Sequence, residues 1–418
     1  MKDSGIPWIG EIPEGWVLSR IKNCTDIVMG QSPDGDSISS EPVGYLFMQG
    51  NAEFSDKYPN PSLYCQNPNK LSRVGDILMS VRAPVGALNI SDKIYGIGRG
   101  LCSIKNINID KSYLWYYLLK SSEDFDYYGN GSTFSAITVS SLNNVPLLLP
   151  PLAEQHLIAT FLDKKCSEID SLIELQEQMI EELKAYKQSV ITEAVTKGLN
   201  PNVPMKDSGI EWIGNVPEEW EVCKVSRLFH VQLGKMLQPN RENETDELCN
   251  YLCAANVGKN VLKLEPLKQM WISEREKEQY SVKKGDLLVV EGGDVASCDI
   301  INEDVSDLYI QNALHRVRSK GEQDVRVLRY LLIVAKCRGY IDLICNKATI
   351  SHFTKEKFES MPYIVSPTPK EQQAIADYLD KKCGEIDELI TIKQQKIESL
   401  KEYKKSVIYE YVTGKREV

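Results

Sequence analysis

The strongest constraint on this chain is that it repeats itself. Met1–Trp16 reads MKDSGIPWIGEIPEGW and Met205–Trp220 reads MKDSGIEWIGNVPEEW, identical at 12 of 16 positions. A second match aligns Glu154–Thr196 with Glu371–Thr413, where 27 of 43 positions agree, including Leu162-Asp163-Lys164-Lys165-Cys166 against Leu379-Asp380-Lys381-Lys382-Cys383. Identity over such lengths requires a tandem duplication. The stretches between, Val17–Ala153 and Glu221–Lys370, share little beyond echoes such as Gly75-Asp76-Ile77-Leu78 against Gly285-Asp286-Leu287-Leu288. One ancestral fold is therefore expected twice, with constant connectors and divergent contents. An enzyme duplicated for stability would keep its site in both halves. This pattern instead suits a scaffold that carries two different reading surfaces.

The organisation that follows is a connector motif at 1–16, a variable domain at 17–153 and a long helix at 154–198. A linker and repeated connector at 199–220 lead to a second variable domain at 221–370 and a closing helix at 371–418. Glu154–Lys197 has helical periodicity, with Ile158, Leu162, Ile169, Ile173, Ile180, Leu183 and Val190 on one stripe, and Gly198 and Pro201 stop it. The copy carries Ile375, Leu379, Ile386, Ile390, Ile397, Leu400 and Val407, is interrupted by Gly384 and ends at Gly414. A stripe on so long a helix needs a partner helix to cover it. The two copies are expected to pack on each other antiparallel, with Lys187 and Lys404 helping to fix the register. The first helix leads into the second connector, whereas the successor of the second helix sits at residues 1–16. The two chain ends are therefore expected to meet, as in a circle cut once, with approximate two-fold symmetry.

The variable domains read as mixed α/β. Asp76–Ser80 and Asp286–Val290 predict strands, and Tyr113–Lys120 and Val327–Lys336 predict short buried helices. The fold class is α+β: two mixed domains joined by two long helices in an antiparallel coiled coil, as a pseudo-two-fold tandem repeat. A net charge of −10 argues at first sight against a nucleic-acid binder, but the two variable segments are each within one charge of neutral. The acidity lies mainly in the connectors. No apolar run reaches the ~20 residues that would span a bilayer, the start lacks a signal-peptide pattern, and the 11 cysteines show no metal or disulfide spacing. A cytoplasmic protein with reduced thiols is expected.

Catalytic motifs fail on inspection. Gly30–Ser37 has P-loop spacing but Asp36 where the phosphate-binding lysine belongs, so a surface turn is expected. Gly96-Ile97-Gly98-Arg99-Gly100 is followed by Leu101-Cys102-Ser103-Ile104, which reads as a strand rather than the helix that a dinucleotide site needs. The four histidines, His156, His230, His315 and His352, have no zinc spacing. His156 reads as helix surface, and His315 as buried or touching a phosphate. No Asn/Asp-Pro-Pro-aromatic loop is present. The chain does not read as an enzyme, and no metal site is expected on it.

The order of these features resembles the specificity subunit of a type I restriction–modification system over essentially the full length. The resemblance rests on the Trp8–Trp16 and Trp212–Trp220 motifs and on the exits Leu148–Gln155 and Ser366–Gln372 before each long helix. It also rests on loops at Gly131-Ser132-Thr133 and Ala348–His352. The second exit departs from the family by lacking a double proline. The resemblance implies that the variable segments are target-recognition domains, each reading one half of a bipartite site in double-stranded DNA. It implies that the helices space them and dock two adenine methyltransferase subunits, with motor–nuclease subunits joining for restriction. S-adenosylmethionine, ATP and Mg²⁺ would then sit on the partners and none on this chain.

Cations and amides near turns are the residue types that contact phosphates and base edges. In the first domain these are Arg82, Arg99 and Lys105, with Gln31 and Ser32. In the second they are Arg316, Arg318, Lys347 and His352, with Lys235 and Asn240 as weaker choices. Tyr127, Tyr128, Trp271 and Tyr280 read as core rather than stacking platforms. The competing readings are a non-catalytic coiled-coil adaptor and a self-contained DNA-modifying enzyme.

Overall fold

The structure, a computed structural model, describes residues 1–6, 9–34, 37–121, 136–345 and 352–418. Trp8, Asp36, Tyr127, Tyr128, Gly131-Ser132-Thr133, Lys347 and Ala348-Thr349-Ile350-Ser351 lie outside the described residues. The chain divides into two compact units, Met1–Glu177 with Lys393–Val418, and Gln178–Ile392. Both boundaries fall inside the long helices, so each unit holds one variable domain and a piece of each helix.

The two variable domains share one topology despite their divergent sequences. In the first, an antiparallel central sheet runs in the order Thr25–Met29, Leu101–Asn106, Ile77–Ser80, Leu88–Ile90. In the second, the order is Phe229–Leu233, Leu314–Ser319, Leu287–Val290, Cys298–Ile300. Each domain adds an outer sheet with one parallel pair, Gly96–Ile97 beside Tyr45–Met48 and Leu308–Ile310 beside Glu247–Leu252. The Gly-Asp echo now has a physical cause. Buried Asp76 accepts the Arg73 amide at 3.0 Å, and buried Asp286 accepts the Lys283 amide at 2.9 Å, so each carboxylate closes the turn that launches a central strand.

Each domain is closed by its own ends. The exit strand Pro146–Leu149 pairs antiparallel with Val17–Arg20, and Pro362–Val365 pairs with Glu221–Lys224. The buried helices are Lys111–Ser121 and Val325–Cys337. Their first turns are tied to the long helices by the glutamine of each exit: Gln155 Oε1 accepts the Asp110 amide at 2.9 Å, and Gln372 Oε1 accepts the Asp324 amide at 3.2 Å. Tyr116 donates to Asp163 at 2.9 Å and Tyr330 to Asp380 at 2.7 Å, matching positions of the repeat.

The long helices span Leu152–Lys197 and Pro369–Val412. On the stripes, Ile158, Leu162, Ile169, Ile180 and Val190 are buried, as are Ile375, Leu379, Ile386, Ile397 and Val407. Ile173, Leu183, Ile390 and Leu400 are half-buried. In the first unit, Ile158, Leu162 and Cys166 share a core with Val407, Ile408 and Val412, and Phe161 meets Tyr411 at 4.4 Å between ring centres. In the second, Val190, Ile191 and Ala194 share a core with Ile375, Ala376, Leu379 and Cys383. Early residues of one helix meet late residues of the other in both, which is antiparallel packing. Lys404 bonds Asp170 at 2.6 and 2.7 Å, and Lys187 bonds Asp387 at 2.7 and 2.6 Å. Half-exposed pairs of this kind contribute only ~0.2–1 kcal/mol each; their effect is to penalise a shifted register.

The connector motifs fold alike. Ser4 and Gly10 amides donate to Gly10 and Ile6 carbonyls, and Ser208 and Gly214 amides to Gly214 and Ile210 carbonyls, at 2.9–3.1 Å. Each motif then delivers a buried tryptophan to the place where two helix ends meet. Trp16 donates to Glu154 Oε1 at 3.0 Å, and its ring lies against Gly414, where an added methyl would come within 3.3 Å of it. Trp220 bonds the Glu371 carboxylate and lies 3.1 Å from a methyl placed at Gly198. Lys415 reaches the Glu11 carbonyl at 2.6 Å, so the chain ends meet as the repeat requires.

The helix 369–412 runs through Gly384 without a break, because its neighbours supply the packing and hydrogen-bond ladder that one glycine cannot disrupt. A methyl there meets nothing within 4 Å. Gly384→Ala is expected to stabilise the chain by roughly 0.5–1 kcal/mol in urea denaturation. Trp16→Ala and Trp220→Ala are each expected to cost about 3–5 kcal/mol by the same measurement, and equal losses would show that the two junctions are equivalent.

Candidate nucleic-acid interface

Loops at the ends of a rigid sheet are where recognition side chains are usually mounted. In each domain one rim gathers such loops through the same backbone hydrogen bonds. In the first, Gly30 N–H donates to Leu101 O at 2.8 Å, Gln31 N–H to Ile97 O at 3.0 Å and Gly98 N–H to Met48 O at 2.7 Å. Val81 N–H donates to Gly100 O and Ile137 N–H to Val81 O, both at 2.9 Å. In the second, Gly234 donates to Leu314, Lys235 to Ile310, Gln311 to Leu252 and Glu291 to Ala313, each at 2.9 Å, and Phe353 to Glu291 at 2.8 Å. The two lists correspond bond for bond.

Glycine is required at the crossing point. A methyl at Gly30 would lie 2.1 Å from the Gly98 carbonyl oxygen, and one at Gly234 would lie 2.3 Å from that of Gln311. The glycine that opened the failed P-loop pattern is therefore a packing glycine, and the bonds place Gly30 and Gln31 in the rim.

The side chains mounted on this shared frame differ. The first rim brings together exposed Gln31, Arg82 and Arg99 and half-buried Ser32. Ser32 accepts a hydrogen bond from Gln49 Nε2 at 2.7 Å, and its carbonyl accepts from Asn69 Nδ2 at 3.1 Å. Gln49 and Asn69 escaped sequence reading because they are uncharged and far from Ser32 in the chain. Lys105 stands apart, at the other end of strand Leu101–Asn106 opposite Asp26, so it is not part of this rim.

The second rim corrects several expectations. Lys235 is 7% exposed and pairs with Glu276 at 2.5 Å, so it holds the loop down instead of facing solvent. Arg316 and Arg318 lie inside the central sheet. Arg318 makes a two-pronged pair with Asp286 at 2.5 and 2.7 Å, and Arg316 donates to the Ser281 carbonyl. Burial, and then Arg318 beside it, lower the Arg316 pKa. In the first domain Ser103 donates to the corresponding aspartate, Asp76, at 2.6 Å; in the second the serine's position is held by Arg316, and the aspartate is met by Arg318 instead. Charge reversal at Arg318 would set two carboxylates together in a buried site, a loss of roughly 3–5 kcal/mol that tests folding and not DNA contact.

Asn240 is exposed on the rim loop, and His352 is exposed beside Gly292. Gln311 and Asn312 stand on the same rim, joined by a hydrogen bond from Gln311 Nε2 to Asn312 Oδ1. Arg241 lies 5.5 Å from the Trp271 ring centre and donates to the Asn243 and Glu244 carbonyls. Half-buried Trp271 is thus a platform for a cation of its own chain, and half-buried Tyr280 packs against apolar cores. Among the described residues, no group of three or more His, Cys, Asp or Glu is placed to hold a metal.

His315 is fully buried, its Nε2 lies 2.7 Å from the Phe353 carbonyl, and it thereby anchors the segment after His352 to the central sheet. Its other ring nitrogen has no partner, so the neutral ring is favoured, and burial pushes its pKa down to about 4. The unfolded histidine takes up its proton near 6.5, so between pH 6.5 and 4 the unfolded chain holds more protons and acidification favours unfolding. The stability in question, roughly 3 kcal/mol, is present above pH 6.5 and lost on descending to 4. His315→Gln is expected to flatten the stability–pH curve in that window relative to the parent, read by urea denaturation at stepped pH.

Comparison with known proteins places this geometry. A family described as the type I restriction modification DNA specificity domain matches residues 13–185 and again 217–415. The chain is 25% identical over 417 residues to the type I restriction enzyme MjaVIII specificity subunit of Methanocaldococcus jannaschii, covering 97% of this chain and 93% of that one. It is 41% identical over 192 residues to a protein of the same organism assigned as the type I restriction enzyme MjaX specificity subunit. That match spans 45% of this chain and 44%, less than half, of the relative. A solved chain from work on complex assembly and conformational transition of the type I R-M system superposes with a TM-score of 0.73 at 16% identity, over 96% of this chain and 98% of its own. The HsdS subunit from Thermoanaerobacter tengcongensis gives 0.56 at 16% identity over the whole of both chains. These two likenesses are of fold.

Proposed function

Since the chain belongs to the type I restriction modification DNA specificity family and carries its domain twice, we propose that it is the non-catalytic specificity subunit that reads a bipartite site in double-stranded DNA. The observation that carries this reading is the pair of rims. The same backbone hydrogen bonds support Gln31, Arg82 and Arg99 in one domain and Gln311, Asn312 and His352 in the other. A catalytic site would keep its side chains and let its scaffold drift. A reader of two unlike half-sites keeps the scaffold and exchanges the side chains. Phosphate contacts from rim cations would position each domain, and base-edge contacts would give sequence.

The partners in this reading are two adenine methyltransferase subunits, with motor–nuclease subunits recruited through them, acting in the cytoplasm. S-adenosylmethionine, ATP and Mg²⁺ belong to those partners. Among the described residues no helix is long and apolar enough to cross a membrane. The helices offer matching apolar side chains to the methyltransferases: Leu172, Leu175 and Tyr403 are 45–52% exposed in one unit, and Leu389, Ile392 and Tyr186 are 48–56% exposed in the other. Each set recurs at the same positions of the repeat, as two copies of one partner would require.

The test is selection of bound duplexes from a random DNA library by the chain together with its methyltransferase. A split motif with two constant half-sites and a fixed spacer is expected. No enrichment by an assembled complex would favour the adaptor. Separately, Leu172→Arg with Leu389→Arg is expected to weaken methyltransferase binding roughly 10-fold or more while leaving the thermal midpoint of the free chain in place, read by co-purification and calorimetry.

A further inference from the structure

One rim position is unlike the others, because in both domains it is the corner of a turn held by backbone hydrogen bonds, exposed at Arg99 in the first and half-buried at Asn312 in the second. The turn joins the parallel outer strand to the central strand, and it closes through Leu101 N–H to Gly98 O at 3.0 Å and Leu314 N–H to Gln311 O at 3.2 Å. Arg99 and Asn312 occupy its second residue. In the first domain the flanking positions carry no side chains. A methyl at Gly98 would lie 2.5 Å from Gln49 Oε1, and one at Gly100 would lie 2.6 Å from the Gln49 carbonyl oxygen, so both must be glycine. Arg99 therefore stands alone on the turn, exposed, and among the described residues no hydrogen bond or ion pair engages its guanidinium. Of the cations near the second rim, Lys235 is committed to Glu276 and Arg241 to two carbonyls. On the first rim exposed Arg82 is the neighbour of Arg99, but it does not stand on this glycine-flanked turn. A free planar fork on a rigid turn matches the paired acceptors O6 and N7 of guanine.

The second domain presents a different edge from the same place. Gln311 and Asn312 spend one amide hydrogen bond on each other. Whichever way the two amides are turned, that bond leaves one carbonyl and one NH₂ group able to serve a ligand. An acceptor beside a donor is what the N6 amino group and N7 of adenine require.

We propose that Arg99 reads a guanine in the half-site bound by the first domain and that Gln311 with Asn312 reads an adenine in the half-site bound by the second. The assignment rests on the DNA-reading function proposed above.

The experiment is duplex selection by the assembled complex, comparing the parent chain with Arg99→Ala, Arg99→Gln and the pair Gln311→Ala, Asn312→Ala. With Arg99→Ala, preference for guanine at one position of one half-site should fall roughly 10- to 100-fold, with the other half-site unchanged. Arg99→Gln should shift that position from guanine towards adenine. The paired amide variant should relax one adenine position in the opposite half-site. A parent motif with no guanine in the half-site that these variants affect, or a motif left unchanged by all three, overturns the assignment while the DNA-reading function stands. A parent complex that selects no motif overturns both. Arg99 is exposed and Gln311 and Asn312 are half-buried on the rim, and equal thermal midpoints for parent and variants show that a changed motif is not a folding defect.

Discussion

The burial of one tryptophan where two helix ends meet governs the rest of this molecule. A helix of 46 residues with a single apolar stripe is not stable alone in water, and its partner must arrive antiparallel and in register. Trp16 and Trp220 fix that arrival. Each indole bonds the glutamate that begins one long helix and fills the space left by the glycine that ends the other. The glycine ends each helix in a left-handed conformation, at φ +68° for Gly414 and +74° for Gly198, so stopping the helix and making room for the ring are one act. The Lys–Asp pairs along the stripe then disfavour slippage. Because the glutamine beside each glutamate also fastens the first turn of a domain helix, the same few residues orient each variable domain on its helix.

This arrangement separates what must stay constant from what can vary. Connector motifs and helices keep 12 of 16 and 27 of 43 residues between the copies. The kept positions include those through which each helix meets the other, such as Leu162 and Leu379 or Asp170 and Asp387. The variable domains owe nothing to each other, and they have kept topology without sequence. What survives in them is backbone logic: a turn-closing aspartate, a glycine where two loops cross, and a closing strand that returns to the first.

The constant part was legible in the sequence because repetition and helical periodicity are one-dimensional signals. The helix limits, the antiparallel packing, the meeting of the chain ends and the central strands at Ile77 and Leu287 all follow from spacing. The candidate site was legible only in part. Arg82, Arg99, Gln31 and Ser32 gather on one rim, but only the structure reveals that hydrogen bonds join residues 30, 81 and 98–101 there. Lys235, Arg316 and Arg318 carry the charge expected of a DNA contact, and it is spent on Glu276, Asp286 and the Ser281 carbonyl. A strand interior with alternating arginines looks the same in sequence whether its partner is a phosphate or a buried carboxylate. Gln311 and Asn312 gave no signal at all, since paired amides carry no charge and obey no spacing.

The claim at the centre of this account is that two independent readers carried by one chain direct methylation to a split site. Long-read methylation mapping in a methylation-free host expressing this chain with its methyltransferase tests it most directly. The account predicts a bipartite motif with a methylated adenine in each half, absent when this chain is omitted. An active, assembled methyltransferase that marks no such motif, or marks the same sites without this chain, would contradict it.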